Sequence, residues 1–71
     1  MIKDSKIHEL TEVSKIELMI VEDHPLLIQG LRRVVEEELD IKIVAEVTDG
    51  DEAVRRALQL EPDVILMDIN L

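Results

Sequence analysis

Seventy-one residues with no cysteine and no Phe, Tyr or Trp allow one small domain at most, its core built from aliphatic side chains without a disulfide or thiolate zinc site to staple it. A formal net charge of −9 argues against a protein that grips nucleic acid through a Lys/Arg-rich face, and Arg32, Arg33, Arg55 and Arg56 fall as two helical doublets, not a patch. No run approaches the roughly 18 apolar residues of a membrane span and the amino terminus lacks a basic-then-apolar signal pattern, so no membrane partner and a cytoplasmic location are expected.

Residues 1–15 mix charge with Ile2, Ile7, Leu10 and Val13 in a weak helical pattern that neither a capping box nor Gly or Pro bounds, and a flexible leader is expected there. The compact part, 16–71, begins with Ile16 to Val21, in which Leu18-Met19-Ile20-Val21 reads as a short buried strand. After Glu22-Asp23-His24 comes Pro25, which suits the first turn of a helix because its missing N–H would have no partner there.

From Pro25 to about Leu39 the spacing predicts an amphipathic helix, with Leu27, Leu31, Val34, Val35 and Leu39 on the apolar side, Ile28 beside them, and Arg32, Arg33, Glu36 and Glu37 facing away. Gly30 inside it costs about 1 kcal/mol relative to Ala, which close packing on a sheet would explain. Asp40 breaks the pattern, and Ile41-Lys42-Ile43-Val44-Ala45-Glu46-Val47 reads as a strand nearer a sheet edge.

Thr48-Asp49-Gly50-Asp51 is a turn whose acids can cap the next helix, and Asp51-Glu52 complement the positive end of its dipole. Asp49-Gly50-Asp51 also resembles the start of a calcium loop, but no Glu stands where such a loop places its bidentate ligand. The helix is expected to run to about Leu60 on a narrow stripe of Ala53, Val54, Ala57, Leu58 and Leu60, to end at Pro62-Asp63, and to be followed by a third short buried strand, Val64 to Met67.

The resulting string, β-α-β-α-β, is the first half of a doubly wound α/β sheet, and right-handed crossovers with a ligand crevice between the first and third strands give the order 2-1-3. Glu22, Asp23 and Asp68 then converge at one edge, where three carboxylates make a divalent-cation site. Each acid also has a plainer reading: Glu22 and Asp23 could serve the dipole of the following helix, and Asp68 could be a polar strand terminus. His24 is a poor choice for Mg²⁺ and reads first as a structural helix-start residue.

Val21-Glu22-Asp23-His24-Pro25 and Leu66-Met67-Asp68-Ile69-Asn70-Leu71, with Ala45-Glu46-Val47-Thr48-Asp49-Gly50-Asp51-Glu52-Ala53 between them, make residues 16–71 resemble a two-component response-regulator receiver domain. The wording is closest to the LuxR/NarL-type branch. The implied fold is the N-terminal half of a flavodoxin-like sheet. The resemblance implies that Asp68 is the phosphoacceptor, served by a sensor histidine kinase or phosphotransfer protein, that Glu22, Asp23 and Asp68 hold Mg²⁺, and that Asn70 gives the ion a main-chain carbonyl.

Clustered carboxylates repel one another and cannot accept a phosphoryl group without a cation, and Mg²⁺ prefers an octahedron of hard oxygens. A family receiver continues with a Ser or Thr and a Lys that contact the phosphoryl oxygens, and in this branch with a DNA-reading helix-turn-helix. On that comparison the chain is expected to be a receiver truncated after its phosphoacceptor, with no direct nucleic-acid binding by this segment and with phosphotransfer impaired. It is not expected to be an enzyme beyond self-phosphorylation and autodephosphorylation.

The alternative is a non-catalytic interaction module. Below about 80 residues a lone core seldom supplies more than roughly 3–5 kcal/mol, so self-association or a complementing chain is expected to cover the open edge beside Val64 to Met67.

Overall fold

The structure, a computed structural model, describes residues 15–68. The expected leader, apart from Lys15, and Asn70 lie outside the described residues. The elements are β1 (Ile16–Val21), α1 (Pro25–Glu36), β2 (Ile41–Val47), α2 (Gly50–Leu60) and β3 (Val64–Met67). The strands form one parallel sheet in the order β2-β1-β3, as the sequence predicts. β1 lies between two partners, which is why its aliphatic run Met19-Ile20-Val21 is fully buried.

The two faces of the sheet are sorted by an irregularity in β2. Ile16, Glu17 and Leu18 stand opposite Ile41, Lys42 and Ile43, but Met19 stands opposite Ala45, so Val44 is left over. A one-residue slip exchanges the faces of every following side chain. Ala45 and Val47 therefore join Met19 and Val21 on the side covered by Ala53, Ala57 and Leu60 of α2. Glu46 turns to the other side, with Ile20, where α1 lies on β2 and Arg32 reaches it.

α1 begins with Pro25 at its first position and with a backbone bond from the Ile28 N–H to the His24 carbonyl at 3.0 Å. It stops at Glu36, three residues short of the expected Leu39. Glu36-Glu37-Glu38 would place three negative charges at the negative end of the helix dipole, and the turn tightens instead, the Glu37 and Glu38 N–H groups donating to Val34 and Val35. Leu39 lies beyond the helix and is 81% exposed, correcting its place in the apolar stripe. Leu27 and Val34 are exposed as well, because α1 rests mainly on one strand and covers only Ile28, Leu31 and Val35 in part.

Gly30 also departs from expectation: a Cβ there would meet nothing within 4 Å, so no close approach to the sheet requires glycine. In α2, Asp49 caps the helix as predicted, its Oδ1 accepting the Glu52 N–H at 2.8 Å. Ala53, Ala57 and Leu60 face the sheet while Val54 and Leu58 are exposed. The helix ends on Glu61 in the left-handed region, φ 49°, and Pro62 blocks its continuation.

β3 is held to β1 at both ends. The Asp63 N–H donates to the Glu17 carbonyl and the Glu17 N–H to Asp63 Oδ2, each at 2.8 Å, and the Asp68 N–H donates to the Val21 carbonyl at 3.2 Å. The expectation of a buried third strand is corrected: Val64 to Met67 are 43–49% exposed. β3 lies at the sheet edge, and neither helix packs substantially on it among the described residues.

Candidate metal centre

The acids gather because the segment after β1 and the segment after β3 leave the sheet side by side from paired parallel strands. Glu22 follows β1 directly and its N–H donates to the Val47 carbonyl at the end of β2, at 2.9 Å. Asp68 follows β3 directly and is hung from Val21. Asp23 stands between Glu22 and the helix start. One ligating atom from each of Glu22, Asp23, His24 and Asp68 lies within 4.8 Å of all the others. Glu22 is buried at 4% exposure, Asp23 and His24 are exposed, and Asp68 is intermediate.

His24 stands at the start of α1 as the sequence predicts and is also a member of this group. Its Nδ1 donates to Glu22 Oε2 at 2.6 Å and lies 3.0 Å from Asp23 Oδ1, and its backbone N–H donates to Glu22 Oε2 at 3.2 Å. At the N-cap of α1 it makes no side-chain capping bond, so the ring is turned to the acids. The hydrogen bond to Glu22, then the charges of Asp23, Glu22 and Asp68, raise its pKa above the ordinary 6.5. The same side-chain bond lowers Glu22 below its ordinary 4.5, against burial that pushes the other way.

The donor set fits a hard divalent cation: three carboxylates, one buried, one partly buried and one exposed, supply oxygens at short mutual range from the ends of two neighbouring strands. The sequence-predicted Glu22, Asp23 and Asp68 are thus brought together, whereas Asn70 lies outside the described residues. Beside them a surface cleft of about 300 Å³ is lined by Asp23, Pro25, Arg32, Glu46 and Thr48 among others.

Within that cleft Arg32 and Glu46 form a two-pronged ion pair, Nε to Oε2 at 2.8 Å and Nη2 to Oε1 at 2.6 Å. The sequence placed Arg32 on the outward face. Nothing in the residue pattern signals the pair, because it depends on the slip at Val44.

Comparison with known proteins gives a family match over most of the chain: the response regulator receiver domain, over residues 18–71. The chain is 46% identical over 59 residues to a protein-glutamate methylesterase/protein-glutamine glutaminase of Carboxydothermus hydrogenoformans, covering 83% of this chain and 17% of that one. It is 39% identical over 57 residues to a nitrate/nitrite response regulator homolog of Haemophilus influenzae, covering 80% and 27%. It is 43% identical over 54 residues to the transcriptional regulatory protein LiaR of Bacillus subtilis, covering 76% and 26%. The chain thus spans less than a third of the length of these relatives. No solved structure matches it.

Proposed function

The chain belongs to the response regulator receiver family, the phosphoacceptor module of two-component signalling, and on that footing we propose that Asp68 takes a phosphoryl group from the phosphohistidine of a sensor histidine kinase or phosphotransfer protein. The observation that carries this reading is the convergence of Glu22, Asp23 and His24 with Asp68 inside 4.8 Å. Glu22, Asp23 and Asp68 would hold Mg²⁺, with Asn70 adding its main-chain carbonyl. Bound there, the ion supplies charge neutralisation for the incoming phosphoryl oxygens.

The chain's own residues do the rest. The Asp68 carboxylate is the nucleophile: one oxygen forms a bond to phosphorus, the P–N bond of the donor breaks, and its electron pair stays on the donor imidazole. The product is an acyl phosphate. The backbone bond to Val21 holds the main chain of Asp68 beside the end of β1, and positioning accounts for most of what such a site contributes. His24 keeps the Glu22 carboxylate oriented and ionised between turnovers. Beyond self-phosphorylation and hydrolysis of the acyl phosphate no enzymatic activity is assigned.

The test is an amide proton–nitrogen NMR spectrum without and with Mg²⁺ plus beryllofluoride, which imitates an aspartyl phosphate. Resonances of Glu22, Asp23 and Asp68 are expected to shift together. Dispersed peaks that ignore both additions would reject the phosphoacceptor reading.

A second reading draws on β3, whose Val64, Ile65, Leu66 and Met67 are all more than two-fifths exposed. Edge strands with apolar exposure pair with other chains, and the second reading is a non-catalytic interaction module that pairs this edge with a second copy or with another chain. A sedimenting mass that rises with concentration and survives Asp68→Asn supports it, and a constant monomer mass rejects pairing with a second copy.

A further inference from the structure

α1 carries the Asp23-His24 end of the site, yet none of its residues is fully buried. Interlocked core side chains therefore do not fix where the helix sits along the sheet. Among the described residues, a directional restraint that ties it to the sheet is the fork between Arg32 and Glu46, with both guanidinium bonds at 2.6–2.8 Å. Planar two-point contacts of this kind set orientation as well as attraction.

Both ends of the fork lead to the acids. Glu46 immediately precedes Val47, whose carbonyl receives the Glu22 N–H. Arg32 lies about two turns along the helix from His24. The same pair lines one cleft with Asp23.

We propose that Arg32 and Glu46 are positioning residues for the carboxylate site, holding the start of α1 and the end of β2 at the spacing that lets Asp23 and His24 meet Glu22 and Asp68. The proposal rests on the phosphoacceptor reading for its consequence, not for its geometry. Neither side chain touches the reacting atoms. Arg32 is a guanidinium fork aimed at β2, and the slip at Val44 is what aims Glu46 back.

The experiment uses the whole chain and three readouts: the Mg²⁺ dissociation constant from NMR shifts, the imidazole nitrogen resonances of His24 without metal, and the urea midpoint. Arg32→Met and Glu46→Gln are each expected to weaken Mg²⁺ binding about fivefold or more, short of the ~10–100-fold loss when a group bonded directly to a ligand is removed. Both should also shift the His24 resonances by more than any accompanying change in the urea midpoint accounts for. The exchange Arg32→Glu with Glu46→Arg should restore the first two readouts.

Arg32→Lys keeps the charge and loses the fork, and serves if the Met variant does not fold. An intermediate loss supports positioning. Unchanged Mg²⁺ affinity and unchanged His24 resonances in folded variants overturn the proposal, as does a loss that tracks the urea midpoint alone. If the unmodified chain ignores Mg²⁺ while the His24 resonances move in the variants, the metal reading fails and the positioning role stands.

Discussion

The N–H of Asp68 donates to the carbonyl of Val21 at 3.2 Å, tying the proposed phosphoacceptor to the strand that ends one residue before Glu22. The proposed phosphoacceptor and the buried Glu22 are therefore both tied to β1, one by a backbone bond and the other by following it directly. Incubation with a small acyl-phosphate donor and Mg²⁺ is expected to add about 80 Da as an acid-labile group, and Asp68→Asn is expected to add nothing. Intact-mass spectrometry decides; an adduct that persists in Asp68→Asn would place the chemistry elsewhere.

Glu22 and Asp23 come to the site differently, one buried and bonded to His24, the other exposed. Glu22→Gln and Asp23→Asn are each expected to weaken Mg²⁺ binding by at least about tenfold, and a chelator should block adduct formation in the unmodified chain. A Mg²⁺ titration of the amide spectrum reads the first effect. Equal affinities in all chains would remove these acids from the metal role.

Arg32 holds Glu46 below its ordinary pKa of 4.5, first through the hydrogen bond and then through its charge. A carboxylate with a depressed folded pKa contributes stability above its unfolded value, and that contribution disappears as pH falls through the folded one. The stability difference between the unmodified chain and Glu46→Gln should therefore be level above about pH 5.5 and shrink below it. Urea unfolding across a pH series measures it; a difference that grows toward acid would contradict the assignment.

Two helix positions should respond in opposite directions. Gly30 is exposed, has no positive φ and leaves open space for a Cβ, so Gly30→Ala should stabilise by about 1 kcal/mol. Asp49→Ala removes the acceptor of the Glu52 N–H and should cost about 1 kcal/mol. Thermal or urea unfolding compares them, and a destabilising Gly30→Ala would mean that the glycine has a task the geometry does not show.

The strands and helices were legible because apolar runs and their punctuation are local: Pro25 opens α1, Asp49-Gly50 opens α2, and Pro62 follows its end. The convergence of Glu22, Asp23 and Asp68 was legible too, since strand order and parallel direction place strand ends together. What escaped was set by neighbours. Val64 to Met67 have the composition of a buried strand, but burial depends on what lies beside them. The Arg32–Glu46 fork needed the slip at Val44, a register feature that no pattern of residue types announces.

The reciprocal bonds between Glu17 and Asp63 join groups 46 positions apart, and they close the central strand on its far side. In order of synthesis the middle of the sheet is made first and its last neighbour much later. At about 5–20 residues per second a nascent chain holds Leu18 to Val21 half-paired for about 1–4 seconds, β2 arriving before β3. During that interval Glu22 and Asp23 exist without Asp68. The three carboxylates thus come together only once β3 has docked on β1.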